Sequence, residues 1–339
     1  MRLSLIIAAL LGLATVIYLI FHSGAGDVAH AMLLVGWGLV PIALFHVVPM
    51  FFSALSWRDL LPDSSRLGIV TVTWIRWIRE SVNSLLPVAG VGGDLVCARL
   101  AHLRGVPGPE AAASMVVDVT VGVVTQLLFA STGVALLLTR STGPAVLAVG
   151  WVVLVGIGTF FVVIAVFLLF QHRGMFAVTA KLAGGLLRNE RLSNMAGNAS
   201  AIDNAVRAIY RNQSAFYRAN FVRLIGWAAG TGEIWLIMQF LGQPIDVVDA
   251  FTLESLGAGV RAAAFMVPGA LGVLEGSFIV FGALFGLTAD AALTISLSRR
   301  VRELALGIPG LLVWHWIEGR HLMRPGRERA SPTLPDGSN

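Results

Sequence analysis

Long apolar runs separated by short polar breaks dominate this chain. Leu3–Phe21, Met32–Leu55, Ala111–Leu138, Ala145–Phe170 and Ala219–Leu241 each approach or exceed the length of about 20 residues that a helix needs to cross a bilayer. None alternates apolar and polar residues as a strand does, so the runs predict helices rather than a barrel. Leu3–Phe21 reads as a retained span, because it is longer than a signal-peptide core and stops well before the small-residue sequence Ala29-His-Ala31. Val301–Trp316 is the expected last span, with Trp314 and Trp316 at an interface and Arg299, Arg300 and Arg302 marking the boundary before it.

Two segments break this pattern in the same way. In Arg79-Glu-Ser-Val-Asn-Ser-Leu-Leu-Pro-Val-Ala-Gly-Val-Gly-Gly-Asp94 an arginine precedes a proline by about two helical turns, and a carboxylate follows Pro87 at the seventh position. Arg261-Ala-Ala-Ala-Phe-Met-Val-Pro-Gly-Ala-Leu-Gly-Val-Leu-Glu275 repeats the plan around Pro268. Arg76, Arg79, Glu80 and Asn83 fall at i, i+3, i+4 and i+7, which places them on one helical face. Pro87 ends that helix, since the residue before a proline leaves the α region and proline has no N–H to donate. Gly90, Gly92 and Gly93 permit a tight turn, and Asp94 reads as the N-cap of a helix closing at Gly105. Gly68–Arg104 is thus helix, turn, helix. In Asp246–Gly276, Glu254 and Arg261 share a face, with Gly257 and Ala258 between them.

Composition sharpens the class. The chain is 56% hydrophobic and 13% charged, against about 25% charged in soluble domains, which makes it an all-α polytopic membrane protein. Of its 24 basic residues only Lys181 is a lysine. An arginine excess suits phosphate recognition; coding bias in a GC-rich genome is the alternative explanation. No soluble domain is present to offer nucleic acid a patch. The single Cys97 excludes an intramolecular disulfide and a cysteine-based zinc site. No cofactor motif is present.

The expected organisation is one integral membrane domain over 1–317, with a first half at 32–170, a second half at 219–317 and a basic cytoplasmic linker at 171–218 that includes amphipathic surface helix. A basic and polar tail, disordered by composition, occupies 318–339. Arg58, Arg66, Arg99 and Arg104 flank the first broken segment on both sides, so it is expected to enter and leave the membrane on the cytoplasmic face as a re-entrant hairpin. The second follows the turn at Gly242–Asp249, which lacks Arg and Lys, and is expected to enter from the opposite face, as in transporters built from inverted repeats. Whether the C-terminal tail lies inside or outside stays open.

The charges within these segments carry the functional argument. Four of them, Arg76, Arg79, Glu80 and Asp94, would together cost on the order of 10 kcal/mol if they faced lipid. Internal ion pairs holding the broken helices are one solution; a hydrated groove for a charged head group is the other, and it also accounts for the unwound backbone. The candidate substrate-binding set is therefore Arg76, Arg79, Glu80, Asn83, Pro87, Gly92, Gly93, Asp94, Glu254, Arg261, Pro268, Gly272 and Glu275. Asp118 and Glu233, inside other spans, are candidate proton carriers. His46 and Pro49 mark either a kink near a cavity or a packed histidine.

The Arg79…Asn83…Pro87…Gly92-Gly93-Asp94 and Pro268-Gly-Ala-Leu-Gly272…Glu275-Gly276 patterns resemble the flippase-like membrane domain of lysylphosphatidylglycerol synthases over most of Met32–Trp316. The chain looks most like the stand-alone, hopanoid-biosynthesis-associated (HpnL-like) branch. The resemblance implies a multi-pass bacterial inner-membrane protein that moves or handles a lipid, hopanoid or phospholipid. Only a short tail follows the membrane part, so the synthases' catalytic activity is not carried over. Three readings follow: a lipid flippase or transporter, a membrane-embedded lipid-modifying enzyme, and a scaffold for lipid-biosynthesis enzymes. The first leads. No phosphate-binding Gly-x-x-x-x-Gly-Lys loop, His-Glu-x-x-His or Gly-x-Ser-x-Gly occurs, and Asp246-Val-Val-Asp249 reads as a turn and helix cap.

Overall fold

The computed structural model describes residues 25–86, 92–140, 190–264, 267 and 270–322, with isolated positions between 151 and 171. Leu3–Phe21, Pro87, Gly90, Lys181, Pro268, most of Ala145–Phe170 and the tail from 323 lie outside the described residues. Those described form helices and turns, with no strand among them. The helices are α1 (Ala25–Val35), α2 (Leu39–Phe45), α3 (Val47–Asp59), α4 (Ile69–Leu85), α5 (Gly92–Leu103), α6 (Gly108–Arg140), α7 (Glu190–Arg211), α8 (Gln213–Phe240), α9 (Val247–Ala263), α10 (Val273–Leu284) and α11 (Ala289–Leu322).

Among the described residues, three stretches are long and apolar enough to cross a membrane: Met32–Asp59, Gly108–Thr139 and Gln213–Phe240. The first is nearly continuous helix through α1, α2 and α3. It is interrupted at His46, where Pro49 cannot supply the N–H that would bond to the carbonyl of Phe45. It runs antiparallel to α8. Gly38 approaches Phe240, Gly232 approaches Phe45, Gly226 lies against Pro49 and Phe52, and Asp59 pairs with Arg218 at 2.8 Å. The small residues let the two backbones close in, which substitutes for the hydrophobic drive that lipid does not provide.

These pairs define two ends of the bundle. Arg58, Arg66, Arg99, Arg104 and Arg218 lie at the end where α3 finishes. There Arg99 bonds to Glu318 of α11, and Arg104 stacks over Trp74 at 4.7 Å. The amphipathic α7 packs Ile202, Val206 and Ile209 against Ala113 and Val117 of α6 at that same end. At the far end Val35, Leu137, Leu241 and Ala250 share one apolar cluster.

The two broken segments are helical hairpins entering from opposite ends. α4 leaves the basic end and α5 returns to it, since Gly93 touches Asn83 while Arg104 reaches back to Trp74. α9 starts at the far end beside Leu137 and descends antiparallel to α6, where Gln126 donates to the carbonyl of Ala258 at 2.8 Å. α10 climbs back, with Leu274 against Val260 and Phe278 against Gly257.

The expectation for the last span needs correction. Arg299, Arg300 and Arg302 do not mark a boundary. α11 is one helix of 34 residues, about 51 Å long at 1.5 Å per residue, and it runs from the far-end cluster at Ala291 and Ile295 to Trp314 and Ile317 at the basic end. Its arginines are mid-helix and mostly buried. Within the described residues, a hairpin followed by a helix running the length of the bundle brings the end of α11 to the basic end.

Candidate functional site

The first hairpin closes on itself. Arg79 of α4 donates to Asp94 in the first turn of α5, and the Asn83 carboxamide accepts from the Gly93 N–H at 2.8 Å. A side chain at position 93 would collide with the Arg79 carbonyl and with Asn83, so glycine is required there by close approach of two backbones. Asp94 was expected to cap α5; instead it serves as the counter-ion of Arg79, and a side chain from α4 satisfies one free N–H at the start of α5. Arg76 faces elsewhere. It is 2% exposed, bonds to Asp118 of α6 at 2.6 Å and to Ser53 of α3 at 2.7 Å, and shares both partners with Arg223 of α8. That buried triad ties α4 to three other helices.

The second hairpin has the same charges and different partners. Glu275 accepts from the Gly272 N–H at 2.8 Å, capping its own helix. Gly272 has φ +78°, a left-handed conformation open to glycine at little cost. The other oxygen of Glu275 meets Ser296 and Arg300 of α11. Arg261 is not its partner: that guanidinium lies 3.4 Å from Glu303, also on α11. Glu254 pairs with Arg299.

Between the two tips is a cavity of about 420 Å³ lined by Arg79, Glu80 and Asn83 from α4, Glu254 and Arg261 from α9, Glu233 from α8, and Arg299, Arg302 and Glu303 from α11. His46 stands at its wall where the first span is interrupted. Its Nε2 lies 2.6 Å from Glu80 and its Nδ1 faces both Arg302 and Glu233. Arg302 also reaches Glu233 at 2.8 Å.

Seven arginines (76, 79, 223, 261, 299, 300 and 302), together with His46 on Glu80, thus meet seven carboxylates (80, 94, 118, 233, 254, 275 and 303). Facing lipid singly, fourteen such charges would cost on the order of 40 kcal/mol; paired inside the bundle they avoid most of it. Because basic and acidic groups are nearly equal in number, the cluster has little net charge with which to select an anion. Availability decides instead. Arg261 is the least committed arginine of the cavity wall, 40% exposed and at 3.4 Å from its partner. Among the described residues, Oε1 of Glu233 and Nε of Arg299 face each other at 4.0 Å without a hydrogen bond, and Nε of Arg302 makes none; buried polar atoms of this kind suit water or a ligand.

Of the residues singled out in the sequence, Arg79, Glu80, Asn83, Glu233, Glu254 and Arg261 line one cavity. Gly93, Asp94, Gly272 and Glu275 shape the hairpin tips behind it, and Gly92 begins α5. Arg76 and Asp118 sit apart in the triad. Pro87 and Pro268 fall outside the described residues. Sequence reasoning took Arg299 and Arg302 for part of a membrane boundary and did not single out Glu303, although the i, i+3, i+4 spacing of the three is that of one helical face. Among the described residues no group of His, Cys, Asp and Glu has metal-site geometry.

No curated protein and no solved structure matches the chain. The family model described as the lysylphosphatidylglycerol synthase transmembrane region matches residues 5–310, nearly the whole chain, and the protein belongs to that family.

Proposed function

We propose that this protein is a lipid transporter of the bacterial inner membrane, which holds the charged head group of a membrane lipid between its two hairpin tips and moves the lipid between leaflets. The observation that carries this reading is that Arg79 and Arg261, from hairpins entering at opposite ends, line one cavity. A site reached from both ends by broken helices is the plan of alternating-access transporters, and membership of a lipid-related membrane family points to lipid rather than a soluble solute. The basic end is assigned to the cytoplasm by the positive-inside rule. The finer placement, in the hopanoid-associated branch, rests on the hairpin motifs.

Arg261 is assigned the phosphate contact, because its exposed guanidinium can exchange the 3.4 Å carboxylate for a closer, two-pronged partner. Purified protein in vesicles should move fluorescent phosphatidylglycerol between leaflets. Arg261→Ala should slow that movement by about tenfold, the loss of one charge-assisted hydrogen bond, without unfolding the protein. Folded wild-type protein that moves neither phosphatidylglycerol nor a hopanoid would refute the reading.

A further inference from the structure

The charged cavity continues beyond its arginines. His46, Glu80, Arg302 and Glu303 also border a much smaller void of about 20 Å³, whose other wall is Met50, Trp77 and Leu306. Those last three residues in turn begin a third concavity of about 490 Å³, which runs outward between α3, α4 and α11 over Val47, Val70, Thr73 and Trp74. The exposed wall of this outer groove is entirely apolar, and Val70 in it is 76% exposed. The three spaces share residues in series: a charged chamber, a neck, and an apolar groove open to the side of the bundle.

The neck is narrow for identifiable reasons. The Trp77 indole N–H donates to the carbonyl of Leu306 at 2.8 Å. Gly307 and Gly310 let α11 lie directly against Leu85, Ser81 and Trp77 of α4. A void of this size holds about one water molecule, so the neck is shut to a head group while the indole keeps its bond. Pro309 lies within the same turns of α11 and removes the donor for the carbonyl of Ala305, which makes this the stretch of helix most readily bent.

We propose that the groove between α3, α4 and α11 holds an acyl chain of the same lipid whose head group occupies the charged cavity, and that the Trp77–Leu306 neck is the lateral door between them. This rests on the transport reading above and adds the route. A lipid is one molecule with a charged end joined to an apolar end, so a site for it needs a wet space and a dry space that connect. The groove is an apolar concavity joined to the charged chamber through shared residues, and its exposed wall offers hydrocarbon everything and a polar partner nothing.

The test uses full-length protein in phosphatidylglycerol vesicles containing a fraction of phosphatidylglycerol with a diazirine in one acyl chain. Irradiation and peptide mass spectrometry should place adducts on Val70 and Trp74 about tenfold more often than on Trp37, an equally apolar residue that is 90% exposed. Thr73→Trp, which fills the groove from a lipid-facing position, should remove that enrichment and slow lipid movement about tenfold, and Val70→Trp should do the same from a neighbouring position. Binding of soluble glycerophosphoglycerol should be unchanged in both variants. Adducts spread evenly over exposed apolar faces would mean ordinary surrounding lipid and overturn the proposal. So would a disulfide-linked dimer of Thr73→Cys, since Cys97 is buried and a second copy would then cover the groove. If the filled variants move lipid normally while Arg261→Ala does not, the groove fails and the head-group site stands. If no variant differs and wild type moves no lipid, both fail.

Discussion

The two hairpins carry the same sequence plan and stabilise it in opposite ways. In the first, Arg79 and Asp94 face each other across the break, and Asn83 closes the turn onto Gly93. In the second, Arg261 and Glu275 never meet; each is partnered by α11, through Glu303 and Arg300. One tip is self-contained and the other depends on a neighbouring helix. A matched spacing of charges therefore fixes where the charges lie and not whom they pair with. Partner choice was decided by whether a third helix brings its own charges to the same level. α6 and α8 bring Asp118 and Arg223 to the root of the first hairpin, leaving its tip to pair internally, whereas α11 brings Arg299, Arg300 and Glu303 to the second.

The largest effect should come from the anchor of the self-contained hairpin. Asp118→Ala leaves Arg76 and Arg223 buried without a counter-charge and should cost about 3–5 kcal/mol, read as a lower melting temperature in detergent and poor yield. Gly93→Ala should follow, at about 1–3 kcal/mol, because the new methyl has only the Arg79 carbonyl and Asn83 to push against. Gly272→Ala strains a positive φ instead and should cost roughly 1–2 kcal/mol. A small cost at 93 together with a large one at 272 would reverse the account of which tip is tightly built. The finest test is a pair of double-mutant cycles on thermal stability. Arg79 with Asp94 should show a coupling energy above about 0.5 kcal/mol, while Arg261 with Glu275 should show none outside error. Equal couplings would erase the distinction between the hairpins.

Much of this was legible in the chain. Prolines and glycines within apolar segments announce broken helices, and charges at helical spacing beside them announce a polar interior. The antiparallel hairpins and their opposite entry follow from that pattern and from the distribution of arginine. Pairings over long sequence separations left no local trace: Arg302 meets Glu233 across 69 positions and His46 across 256. Arg299, Arg300 and Arg302 resembled the end of a span because clustered arginines usually stand in water. They stand inside because Glu233, Glu254 and Glu275, far apart in the chain and with nothing local to name their partners, converge on one level of α11.

That convergence has a mechanical side. Along just five residues, 299 to 303, α11 grips the tip of one hairpin and, through Arg302 and His46, leans on Glu80 of the other. A tilt or slide of this rod that loosens either tip must disturb contacts at both. The two halves of the molecule are geared to a common shaft, and neither can be released alone.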